Sequence, residues 1–215
     1  MRRLLPVLVL GLIALSAVGA FADTIISYNG NSWETGGFPP SIVGDEFQAV
    51  GDVTDVIFPL TWDTVLYQYT WYAWDLFSLG ESVSGDEVTV LYTTGQYQIY
   101  VDDFFPLGTD RDYANAPATF TDATADPNYL HGNFNSFKVV YNTTSNTGNW
   151  EGTLVFDSGT FVNSLGTQDG YTFAATVGPP FPPVGYDLEG GGDIFLTPTG
   201  TESKTWGAIK GLYQD

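Results

Sequence analysis

The run Gln96-Tyr97-Gln98-Ile99-Tyr100-Val101-Asp102 alternates in character, with Tyr97, Ile99 and Val101 on one side and Gln96, Gln98, Tyr100 and Asp102 on the other. Successive side chains of a strand point to opposite faces, so this period of two hides one face and wets the other. Two further segments repeat it. In residues 149–157, Trp150, Leu154 and Phe156 oppose Glu151, Thr153 and Asp157; in 135–141, Phe137, Val139 and Tyr141 oppose Ser136, Lys138 and Val140. Half-buried antiparallel strands read this way, whereas strands covered on both faces read as continuous apolar runs.

Residues 24–28, 46–50, 65–71, 86–93, 118–121, 171–176 and 192–196 add strand candidates, and Gly, Asn, Asp and Pro punctuate them. The expected fold is all-β, an antiparallel jelly-roll-like β-sandwich of about ten strands. Loops are expected at 29–41, 106–117, 122–133, 143–148 and 178–185. Outside the N-terminal run, no long segment carries helical periodicity.

That run starts with Met1-Arg2-Arg3, continues without charge to Phe21 and ends on Ala20-Phe21-Ala22. A basic start, an apolar stretch and small residues at the positions a peptidase reads describe a signal peptide cleaved near Ala22. An uncleaved anchor is the competing reading. The expected organisation is a signal peptide at 1–22, one β-domain at 23–197 and a tail at 198–215. The expected location is extracellular or periplasmic, with no transmembrane anchor in the mature chain. With Arg2 and Arg3 removed, four basic residues face 25 acids, a balance of −21. Such a surface repels phosphate backbones, which excludes nucleic acid as a partner, and it attracts divalent cations. The absence of cysteine excludes thiol catalysis and a lipid-anchored lipoprotein.

Residues 66–80, Leu-Tyr-Gln-Tyr-Thr-Trp-Tyr-Ala-Trp-Asp-Leu-Phe-Ser-Leu-Gly, hold six aromatic rings and one charge, Asp75. Val65, Tyr67, Tyr69 and Trp71 form a core face, but Tyr72, Trp74 and Leu76 then fall in register with the polar face. A bulge that swaps faces, a covering loop or exposed rings would each explain the break.

Taken in order, "DTVLYQYTWYAWDL", "YTTGQYQIYVDD", "ATFTDAT", "NWEGTLVFDSGTFVNSL", "GYTFAA" and "VGYDLEGGGDIFLTP" resemble exported bacterial β-rich proteins of the PEP-CTERM-associated type, over residues 55–197. The resemblance implies a secreted all-β domain and supplies no catalytic residues. The chain departs from that type at its end, where Pro-Glu-Pro, an apolar helix and a basic cluster are missing. Trp206, Ile209 and Tyr213 there have the spacing of one helical stripe, interrupted by Gly207 and Gly211.

Little catalytic chemistry is on offer. His131, the single histidine, sits in a turn-like stretch, and no Gly-x-Ser-x-Gly elbow accompanies it. The Glu-x-Asp-x-(x)-Glu strand of jelly-roll glucanases is also missing. Asp102, Asp103, Asp110 and Asp112 form an acidic loop of the kind that holds a structural calcium ion, without EF-hand spacing. Tyr72 and Trp74, about 6.6 Å apart along one strand face, would meet neighbouring pyranoses if exposed. The sequence therefore points to a non-catalytic structural or adhesive protein of the envelope or extracellular matrix. A carbohydrate-binding module, with calcium as stabiliser and polysaccharide or envelope components as partners, is the alternative. A polysaccharide hydrolase stands third.

Overall fold

The computed structural model describes residues 24–57, 59–103, 128–167, 169–178 and 182–196. All of them belong to one compact unit, Ala22–Thr199. Nine strands follow in order: β1 (Thr24–Glu34), β2 (Glu46–Val56), β3 (Tyr67–Ser84), β4 (Glu87–Tyr92), β5 (Gly95–Asp103), β6 (Asn128–Asn142), β7 (Thr147–Ser158), β8 (Tyr171–Val177) and β9 (Leu188–Leu196). A single-turn 3-10 helix, Val162–Ser164, precedes β8.

The sandwich expectation is overturned, because the strands form one sheet that closes on itself. β1 pairs with β2, β2 with β3, β3 with β5, and so on through β6, β7, β8 and β9, which returns to β1; every pairing is antiparallel. The result is an up-and-down barrel of eight strands with β4 as an extra strand. Side-chain alternation is the same on a sandwich strand and a barrel strand, so the sequence pattern does not separate the two; the β9–β1 closure does.

β4 has a defined place. The first half of β3 pairs with β5, from Tyr67↔Asp103 to Trp74↔Gln96, and its second half pairs with β4, from Ser78↔Tyr92 to Ser84↔Glu87. β6 divides in the same way on the other side. β4 and β5 thus lie in line between β3 and β6, interrupted at Thr93 and Thr94, and together fill one position of the ring.

Two expected loops are corrected. Residues 29–34 continue β1, and 128–133 open β6. The expected strand at 118–121, the expected loop at 106–117 and the tail at 198–215 lie outside the described residues, as does the proposed signal peptide.

The inward faces carry large rings, and Phe173 is their hub. It stacks on Tyr28 at 4.6 Å and meets Trp71 at 5.9 Å, Tyr97 at 5.8 Å, Phe134 at 5.4 Å and Phe137 at 6.1 Å between ring centroids. Trp71, buried completely, donates its indole N–H to the Asn29 carbonyl at 2.8 Å. The wall thins to admit these rings. A Cβ at Gly30 would stand 2.6 Å from the Trp71 ring and 2.2 Å from the Val50 carbonyl oxygen, and one at Gly152 would stand 2.8 Å from Phe134. The interior of an eight-strand barrel is just wide enough for side chains to fill, and here aromatic side chains fill it.

Removing the hub leaves a void touching five rings that cannot collapse independently. Phe173→Ala is expected to cost about 3–5 kcal/mol in urea unfolding, and Phe173→Leu clearly less. A loss below about 1 kcal/mol for the alanine variant would show that the rings do not act as one packed unit.

Candidate functional site

The aromatic stretch of β3 resolves through a bulge. Phe47 pairs with Leu76 and Ala49 with Ala73, so Trp74 and Asp75 together oppose Gln48 alone. Asp75 adopts φ of 59°, the left-handed conformation that such a bulge accommodates. Its N–H donates to Glu46 Oε1 at 3.0 Å, and its carboxylate accepts from Gln96 Nε2 at 2.5 Å. Before the bulge Trp71 and Ala73 point inward; after it Leu76 does, fully buried. Tyr72 and Trp74 stay on the outer wall, half-buried.

There they stack on each other, with centroids 4.8 Å apart and planes 14° from parallel. Each ring therefore turns one face to its partner, and the pair presents a ridge rather than the flat two-ring platform expected from spacing. Tyr72 packs against Trp33, Val50 and Tyr186, which form a small apolar cluster on the outer wall, and its hydroxyl donates to Gln48 Oε1 at 2.7 Å.

The barrel register extends this ridge sideways into two rows. Tyr72 lies opposite Gln98, which lies opposite His131; Trp74 lies opposite Gln96, which lies opposite Asn133. Asp157 on β7 closes the patch, accepting from Asn133 Nδ2 at 2.6 Å and joining His131 Nδ1 at 2.7 Å. Although burial pushes the Asp157 carboxyl up, hydrogen bonds from His131, Ser158 and Asn133 and the attraction of His131 hold it below the usual range. Trp74 stands 6.2 Å from the His131 ring. From β3 to β7 the patch spans three interstrand spacings, about 14 Å.

Gln96, Gln98, Asn133 and Asp157 carry no motif in the sequence, and His131, expected in a turn, lies in β6. Alternation put the two glutamines on the wetted face. Only the β5–β6 register, which joins residues more than thirty positions apart, brings them to His131. Among the described residues His131 has an oriented carboxylate partner but no nucleophile: the nearby Ser158 hydroxyl donates to Asp157 Oδ1 at 3.0 Å, not to the imidazole.

Of the acids expected to hold calcium, Asp102 and Asp103 end β5, their backbones paired with Gln68 and Tyr67, while Asp110 and Asp112 lie outside the described residues. Among the described residues no three His, Cys, Asp or Glu side chains are grouped to hold a metal. None of the described helices is long and apolar enough to cross a membrane. In comparisons with protein-family models, curated proteins and solved structures, the chain matches none.

A second polar cluster lies inside the barrel, at the end where β1 stops. Glu34 is only 4% exposed and accepts a hydrogen bond from the Tyr92 hydroxyl. Its N–H donates to Asp187 at 2.8 Å, and Ser41 and Ser78 share a hydroxyl bond at 2.7 Å beside it. Burial pushes the Glu34 carboxyl up to about 7, the negative charges of Asp45 and Asp187 add to this, and the bonds from Tyr92 and Ser41 offset it in part. Asp187 is raised too, by burial, against the backbone N–H bonds of Glu34 and Phe38.

A carboxyl raised on folding contributes stability that is complete below its ordinary value of 4.5 and is lost as pH rises through about 7. The melting temperature is expected to fall across that window, by the equivalent of on the order of 2 kcal/mol after screening by solvent. Glu34→Gln, which keeps an acceptor for Tyr92, is expected to flatten most of this slope; an unchanged pH profile in that variant would remove Glu34 as its source.

Proposed function

We propose that the chain is an exported, non-catalytic adhesive protein whose outer wall holds extracellular polysaccharide. The observation that carries this reading is the pair of rows Tyr72–Gln98–His131 and Trp74–Gln96–Asn133, closed by Asp157. A pyranose offers a C–H face and a rim of hydroxyls that both donate and accept. The wall matches this with ring edges beside side-chain amides, which also do both, and a carboxylate that accepts. These groups are half-buried, apart from the more exposed Asp157, and are fixed to strands rather than loops, so little side-chain freedom is lost on binding.

Three arguments support the non-catalytic part. The His131–Asp157 pair lacks a nucleophile among the described residues, the rings fill the barrel, and the motif resemblance to PEP-CTERM-associated proteins implies export without supplying catalytic residues. The adhesive part draws also on exposed Ile42, Val43, Phe77, Leu79, Val83 and Leu91, all on the 41–45 loop, the second half of β3 and β4. Exposed apolar groups gathered in this way favour contact with another surface.

A glycan array with purified residues 23–215 is the direct test. At least one polysaccharide class should be retained. Trp74→Ala should weaken it at least tenfold, about 1.4 kcal/mol, and Gln98→Ala should also weaken it without lowering the melting temperature appreciably. Binding that survives Tyr72→Ala combined with Trp74→Ala would place recognition elsewhere.

A further inference from the structure

The opposite mouth of the barrel, where β3 begins and β5 ends, holds a concavity of about 400 Å³ that the outer-wall reading does not use. Its walls are aromatic. The turn before β3 is pinned by Asp63, whose Oδ1 accepts the N–H groups of Val65 at 3.0 Å and Leu66 at 3.2 Å, while its carbonyl accepts that of Tyr67 at 3.0 Å. This seats Trp62 on Tyr69, stacked at 5.4 Å. Across the mouth Phe161 stacks on Tyr129 at 4.4 Å, and its N–H donates to the Tyr129 carbonyl at 3.2 Å. Tyr69 meets Tyr129 at 86° with centroids 5.2 Å apart, so two stacked pairs join at a right angle and form the corner of a cup. Tyr67 and Val101 complete its apolar lining.

Several polar groups of the cup are already engaged. The Tyr129 hydroxyl donates to the Thr61 carbonyl, the Tyr69 hydroxyl accepts the Asp63 N–H at 3.2 Å, and the Thr160 hydroxyl donates to the Asn128 carbonyl at 3.1 Å. A sugar, which needs many directional partners, gains little here. What the cup offers is aromatic surface, whose ring faces are negative at their centres, and the Asp63 carboxylate at its edge. Burial raises the Tyr69 hydroxyl, the bond from the Asp63 N–H offsets this in part, and the Asp63 charge adds to it. Among the described residues no Lys, Arg or His lines the cup, and the whole chain carries a formal charge of −19. Anions are repelled. Small inorganic cations keep their water, whereas a methylated ammonium is weakly hydrated and gains from ring faces on several sides.

We propose that this cup is a binding site for an organic ammonium ion, held by Trp62, Tyr69, Tyr129 and Phe161 with Asp63 as its counter-charge. The test is calorimetric titration of the purified protein with choline and, separately, with 3,3-dimethylbutan-1-ol, its uncharged isostere, at fixed ionic strength. Choline is expected to bind at least about tenfold more tightly than the isostere. Trp62→Ala should abolish this binding, Trp62→Phe should retain most of it, and Asp63→Asn, which keeps the turn's acceptor, should weaken it several-fold. Trp74→Ala should leave it unchanged, which separates this site from the outer wall. Absence of choline binding at millimolar concentration, equal binding of the isostere, or indifference to both Trp62→Ala and Asp63→Asn would overturn the proposal. Should Trp62→Ala fail to fold, the Phe and Asn variants decide between the outcomes.

Discussion

Closure of one sheet around a packed set of rings is the constraint on which the rest of this structure depends. A barrel of eight strands has a fixed bore, and its filling must match that bore without void or overlap. Here the filling includes Tyr28, Trp71, Tyr97, Phe134, Phe137 and Phe173, with glycines in the wall where an indole or phenyl ring comes close to backbone. With the bore occupied, recognition is left to the outer wall and the two mouths. The functional question thereby becomes one about surfaces.

The same geometry explains why the outer wall of β3 is unusual. A single residue in left-handed conformation, Asp75, lets the strand change which residues face inward, while Gln96 and Glu46 hold it there through hydrogen bonds. Without that bulge, the inward alternation of Trp71 and Ala73 would place Asp75 inside the barrel and Leu76 outside. With it, Leu76 joins the core and the two rings before it remain as a ridge. β4 and β5, lying in line, extend the wall on one side of β3 over its whole length. The outer patch and the mouth cup are built from different elements and different chemistry: amides and carboxylates beside a ring ridge in one, engaged hydroxyls behind ring faces in the other. At the far end Glu34 is held among Tyr92, Ser41 and Asp187, a buried acid whose protonation the fold favours. Its position makes the barrel's stability, rather than its surface, responsive to pH.

Periodicity alone determined a good deal. It assigned Tyr97, Ile99, Trp150, Leu154, Phe156, Phe137 and Val139 to the hidden face, and all seven are buried. It also put Gln96 and Gln98 on the wetted face, and it marked the break after Trp71 as a bulge, a cover or an exposure. The reason is that face assignment is local: it follows from the extended backbone, whichever neighbours the strand acquires. What lay beyond it was every property set by pairing. Sandwich and barrel share one alternation, so the choice between them rested on β9 meeting β1, across the whole length of the domain. Tyr72 and Trp74 were visible as a pair, but their mutual stacking, and the Gln96, Gln98, His131, Asn133 and Asp157 neighbours that make a patch of them, came from register. The sequence by itself thus determined most of the side chains that are hidden, while Tyr100, on the face read as wet, is only 4% exposed. Only the tertiary structure decided which of them meet, because contact between distant strands is set by closure and register, which no stretch of local sequence encodes.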